Sequence, residues 1–244
     1  MSDEFSITDP QFDEDRRVFT APIPDEDMES LFADIAAVTV DEEPSSLGRV
    51  RQLSTPTRVL LGVSAGVVLS GLVVAMLGLR TDLSGAAGQR MLIALAVLAL
   101  LGVGAMLMSL RSLHQRTLGG YTWLFVGLTL LTPSFMALIP GVWPGEPSHT
   151  HMMPWESGCF WFGAAVASLT GVGALLLQRS ERAAAWRVLS AAAAGGCAGF
   201  ITQQLFCPAN DTWHLLTTHG LLGLLVSALL LTGMQIRKRL ASEV

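Results

Sequence analysis

The sequence predicts an all-α, polytopic membrane protein: a bundle of six transmembrane helices behind a largely disordered, acidic N-terminal segment containing one amphipathic helix. Three observations carry this. Of the 244 residues 51% are hydrophobic and only 14% charged, with a mean hydropathy of +0.50, which is too apolar for a soluble domain of that length. Six apolar runs follow one another from residue 57 to residue 234. The charge is split: residues 1–48 hold 14 acids against Arg16 and Arg17, a balance of −12, while residues 49–244 hold 13 bases against 6 acids, a balance of +7.

The acidic segment, residues 1–48, is expected to be cytoplasmic and to stay with the mature protein, because the first apolar run begins too late for a cleavable signal. Its first part, with Pro10, Pro22 and Pro24 and little periodicity, is expected to be disordered. From Asp25 to Val38 the pattern changes. Asp25, Glu26 and Asp27 suit the positive end of a helix dipole. Met28, Leu31, Phe32, Ile35 and Val38 then fall on one face. A helix this short is marginal alone in water, so its stripe needs a surface, either its own membrane domain or a greasy groove on a soluble partner. Acids on its polar face weigh against a basic membrane anchor.

The membrane domain, residues 49–240, is expected to cross at 57–79, 91–110, 121–140, 159–178, 185–206 and 214–234. Each run is close to the roughly 20 residues that span about 30 Å of hydrocarbon. An even number places both termini on one side. With that side inside, the flanks there carry 11 Arg and Lys against Arg80 and Arg90 outside, a positive-inside signal for a bacterial inner membrane with both termini cytoplasmic. Gly62, Gly66 and Ser70, and the run from Ala191 to Gly199, supply small residues for close helix packing in lipid. Pro133 should kink the third span. No span has an acid or base near its middle and no internal repeat is visible, which weighs against a proton-coupled transporter.

This topology gathers chemistry on the outer face. His149, His151, Cys159, Cys207, Asp211, His214 and His219 all lie at or near it, whereas His114 faces inside and Cys197 sits in mid-span among small residues. Counted from the turn near Glu181, Cys159 and Cys207 lie about 22 and 26 residues away, roughly 33 Å and 39 Å of helix. If spans four and five form a hairpin, both thiols reach the same boundary, where they could form a disulfide or share a soft metal. Each could equally be only a small hydrophobe at a helix end. His149 and His151 could ligate a metal or be merely solvated. His219, more than a turn inside the sixth span, needs a polar partner, for which Gln203, Gln204 and Asp211 are candidates. The chain holds no CxxC pair, phosphate loop or HExxH motif, so no catalytic residues are expected.

Six spans with Cys159 opening the fourth, a small-residue fifth span ending in Cys207-Pro208, then Asp211 and a histidine entering the sixth resemble the NrsF-type membrane anti-sigma factors. The resemblance covers about residues 45–240. It implies a non-enzymatic protein whose N-terminal segment holds an extracytoplasmic-function sigma factor, for which the stripe Met28, Leu31, Phe32, Ile35 and Val38 offers the binding face. It further implies that Cys159 and Cys207 are the sensor thiols for heavy-metal or oxidative stress, and the grouping on the outer face adds His149, His151, Asp211, His214 and His219 as supporting or metal-ligating residues. Membrane lipid is then the other partner. No direct nucleic-acid contact, small-molecule substrate or resident cofactor is expected, only a heavy-metal ion bound transiently. The family commonly has an acid directly after Cys-Pro, whereas Ala209 and Asn210 intervene here before Asp211. The alternative is a membrane thiol oxidoreductase or a metal-binding or transport protein using the same cysteines and outer histidines.

Overall fold

The computed structural model describes residues 45–83, 85–111, 119–139, 142–143, 158–178, 184–209 and 211–242. The chain divides into Met1–Ser45 and Ser46–Val244, close to the boundary that the charge asymmetry marks, and the description concerns the second unit. The expected helix over 25–38 and the histidines His149 and His151 lie outside the described residues.

Among the described residues every regular element is helical. A short helix, α1 (Ser46–Gln52), precedes five long ones: α2 (Thr55–Leu77), α3 (Ala86–Leu110), α4 (Gly120–Ala137), α5 (Gly158–Leu176) and α6 (Ala185–Phe206). The last stretch is a turn, α7 (Thr212–His214), a π-helical turn (Leu215–Gly220) and α8 (Leu222–Ser242). Local chemistry accounts for the starts. Ser54 Oγ accepts from Thr57 N at 3.4 Å with Pro56 in the first turn, and the Asp211 carboxylate accepts from His214 N at 2.9 Å.

Four segments are long and apolar enough to cross a membrane: Thr55–Leu77, Ala86–Leu110, Gly158–Leu176 and Thr212–Ile236. Their outward residues, among them Leu60, Val67, Met76, Ile93, Leu100 and Leu229, are exposed, a surface that suits hydrocarbon and marks a multi-pass membrane protein. The runs expected as the third and fifth spans form helices α4 and α6, which are less apolar than those four. In α6 the reason is position. This helix packs on every other long helix, and Ala191 to Cys197 are buried without interruption, so almost none of its surface needs to match lipid. Pro133 lies buried inside α4, which continues to Ala137.

Helix ends pack antiparallel, giving the bundle two distinct ends. At one, Arg58 is buried and donates to the terminal carbonyls Leu177 O at 2.9 Å and Leu110 O at 3.1 Å. Arg51 does the same to Leu176 O at 2.9 Å and Arg187 to Arg111 O at 2.5 Å. Cations at the negative ends of helix dipoles are favourable, so several bases that mark the inner side in the sequence also serve as caps for α3 and α5. At the opposite end Arg80 N donates to Leu205 O at 3.0 Å, tying the end of α2 to the end of α6. Cys159 and Cys207 lie at that second end.

Candidate metal and thiol site

Four side chains from three segments converge there. Cys159 opens α5, Cys207 follows the last residue of α6, His214 precedes the π-helical turn and His219 lies within it. Taking one sulfur or nitrogen from each, all four donor atoms lie within 4.8 Å of one another. The hairpin of α5 and α6, the most extensive helix pairing in the bundle, places the two thiols at one level, as the helix-length arithmetic requires. Cys207 Sγ lies 3.5 Å from His214 Nε2, and the two imidazole centroids are 5.1 Å apart, edge to face. Cys207 and His219 are buried, while Cys159 and His214 are partly so. Cys159, Cys197 and Cys207 are free thiols.

Two glutamines of α6 hold the arrangement. Gln203 Nε2 donates to Cys159 O at 2.7 Å and to Thr218 O at 3.1 Å, so one amide joins the start of α5 to the π-turn. Gly163 makes room for that crossing, since a Cβ there would stand 2.2 Å from Gln203 Cδ. The Gln204 amide meets His219 Nδ1 at 3.0 Å, leaving Nε2 as the nitrogen that faces onward. The Gln203 and Gln204 Oε1 atoms and His219 Nε2 are buried without hydrogen-bond partners among the described residues. Phe200 packs edge to face on His219 at 6.1 Å and Trp143 on Phe200 at 5.4 Å, closing one side of the cluster with apolar surface.

Arg80 supplies a fixed positive charge at this end of the bundle. Its guanidinium pairs with Asp82 at 2.6 Å and 2.7 Å and donates to Gln204 O at 3.3 Å. The pair holds the Asp82 carboxyl below the ordinary carboxylate range, first through the hydrogen bond from Arg80. Cys207, beyond the end of α6, is held below the ordinary thiol range, first by the Cys159 thiol beside it and then by His214 and His219, against the opposing effect of burial. Two thiols and two imidazoles so placed are suited to bind a thiophilic cation or to attack an oxidant.

Of the residues singled out in the sequence, the structure brings Cys159, Cys207, His214 and His219 together. Asp211 stands apart from the cluster, because its carboxylate is taken up by the backbone of His214. Gln204, one of the candidate partners of His219, fills that role, and Gln203 joins Cys159 to the π-turn instead. Cys197 is buried in the apolar core beside Leu98 and Phe200. Arg80 and Gly163 were not legible as site residues: an arginine in a loop reads as a topology marker, and a glycine in a span as packing. Compared with known proteins, the chain matches no family model, no curated protein and no solved structure.

Proposed function

We propose that this chain is a non-enzymatic signalling protein of the bacterial inner membrane, an anti-sigma factor of the NrsF type. Six helices cross the membrane, with α4 and α6 among them, and both termini are cytoplasmic. The acidic segment 1–48 holds an extracytoplasmic-function sigma factor through the stripe Met28, Leu31, Phe32, Ile35 and Val38. A metal or oxidant meeting Cys159 and Cys207 on the outer side biases the bundle, and the segment releases its partner. An acidic stretch with an apolar stripe suits a partner whose own surfaces are basic and apolar.

The observation that carries the reading is the meeting of Cys159, Cys207, His214 and His219 at one end of the bundle, while the chain leads out of the acidic segment at the Arg58 end, where Arg51 of α1 bonds Leu176 O. The sensor chemistry thus lies at the end of the bundle opposite α1, as a transmembrane switch requires. The test compares membranes carrying the full chain with membranes carrying residues 49–244, before and after cadmium or diamide. A sigma factor that sediments with the full chain only, and leaves it on treatment, is the expected result. If the deletion changes neither the bound cytoplasmic proteins nor transcription, the anti-sigma reading fails. If Cys207→Ser leaves the response intact, the sensor reading fails.

A further inference from the structure

His214 and His219 are five residues apart. On an α-helix, at about 100° per residue, that spacing turns the two side chains about 140° from each other, so one imidazole would face away from the thiols. The turn between them is π-helical, Leu215–Gly220, with Leu221 N donating to Leu216 O at 3.1 Å. The extra residue in the turn brings positions i and i+5 into the stacked relation that i and i+4 hold on an α-helix. Neighbouring helices secure it. Gln203 donates to Thr218 O, Ser134 Oγ donates to Gly220 O at 2.9 Å, and Gly220 approaches Ser134 so closely that a Cβ would stand 3.0 Å from its Cα.

Two further observations point to what the turn serves. His219 is fully buried, its Nδ1 is engaged by Gln204, and its Nε2 has no hydrogen-bond partner among the described residues. A tetrahedral ion with bonds of about 2.3 Å to sulfur and about 2.0 Å to nitrogen needs a sulfur–nitrogen edge of about 3.5 Å, and Cys207 Sγ lies 3.5 Å from His214 Nε2.

We propose that Cys159, Cys207, His214 and His219 form a closed centre for one four-coordinate divalent d10 cation of the zinc or cadmium class, and that the π-turn brings the fourth ligand, His219, round to it. This deepens the sensor reading and takes from it only the location of the input. On binding, two S–H bonds break and two metal–sulfur bonds form, two protons leave to water, and no electron is transferred. Two thiolates and two neutral imidazoles around a divalent ion sum to zero charge, which suits a buried site. A monovalent soft ion would leave a net negative charge there. Gln204 orients His219 through Nδ1, as an outer partner of a ligating imidazole does.

The test uses the purified full-length chain, reduced and in detergent, titrated with cadmium. The expected result is one ion per chain, thiolate-to-cadmium absorption, and an X-ray absorption shell of two sulfurs and two nitrogens. His219→Ala should lower affinity about 100-fold or more and His214→Ala likewise, with His219→Cys restoring binding in a three-sulfur shell. A chain lacking Thr217, which closes the π-turn to an α-turn and sets the two histidines four apart on one face, should keep cadmium affinity near that of the wild type, and a loss as deep as that of His219→Ala would count against the role given to the π-turn. If that chain does not fold, the His219→Cys rescue decides alone. Wild-type affinity in His219→Ala, or a shell with sulfur and no nitrogen, would overturn the proposal. Because no cytoplasmic partner enters the readout, failure here leaves sigma binding untested and untouched, and failure of sigma binding leaves this centre standing.

Discussion

Arg80 has no exposed side-chain surface while its partner Asp82 keeps 34%, so the pair is asymmetric: the cation is the member that cannot recover water. Asp82→Asn therefore removes the counter-charge from a buried guanidinium, and the melting of the protein in detergent should show a loss of about 1–3 kcal/mol. The pH dependence has a definite sign. A carboxyl whose folded pKa is depressed contributes stability above the ordinary carboxylate range, and loses it as pH falls through the depressed value. Thermal midpoints of the wild type should thus be insensitive to this pair between pH 5 and 8 and should fall below about pH 4. Asp82→Asn should lack that part of the acid limb. Gln203 is the other residue with leverage, since one amide bonds both Cys159 O and Thr218 O. Interhelical hydrogen bonds in membranes average about 0.6 kcal/mol, so Gln203→Leu should cost only about 1–2 kcal/mol in a melt. Its larger effect should be on cadmium affinity, by about 10- to 100-fold, because it loosens the turn that carries His219.

Helix α6 holds the bundle together by being narrow. A Cβ on Gly195 would stand 2.2 Å from Ala167 O, and one on Gly196 would stand 2.5 Å from the Gly223 Cα, so α5 and α8 both approach the α6 backbone where side chains are absent. Gly195→Ala should force α5 away and destabilise the bundle by about 1–3 kcal/mol in a detergent melt. Gly173→Ala, with nothing near its Cβ, should be neutral or stabilise by about 0.5–1 kcal/mol through helix propensity. Equal effects at the two positions would show that propensity rather than approach sets the outcome. The π-turn is the second element with a specific job. A bound divalent metal typically contributes about 10–16 kcal/mol in structural zinc sites, far above the hydrogen bonds from Gln203 and Ser134, so occupancy would dominate the choice between π and α register in this stretch.

Across the membrane unit, the arginine caps lie at one end and the Cys/His cluster at the other. The six-crossing topology has a direct measurement. Reporter fusions after Gly119 and after Val142 should fall on opposite sides of the membrane if α4 crosses, and fusions after Gln178 and after Cys207 should do so if α6 crosses. Phosphatase activity is expected after Val142 and Cys207, and green fluorescence after Gly119, Gln178 and the C-terminus. Same-side results for either pair would reduce the bundle to the more apolar helices. A chain lacking residues 1–45 should retain full cadmium stoichiometry, since that segment forms a unit separate from the one containing the site.

The sequence by itself determined the all-helical class and the order of the long helices, and it set Cys159 and Cys207 at one level on the condition that α5 and α6 pair. Those follow from one-dimensional quantities: the length of an apolar run, the rise per residue, and the short connection that makes α5 and α6 neighbours. The apolarity of the fifth run was less informative, because a helix enclosed by others need not resemble lipid. Only the tertiary structure decided which histidines join the thiols, and how. At α-helical spacing His214 and His219 diverge, and the π-turn that reunites them is held by Ser134 from 86 residues away and by Gln203 from 15. Arg80 and Gly163 are likewise defined by what lies against them. Contacts between distant segments leave no period in the sequence, so the outline of the bundle was legible there and the closure of its site was not.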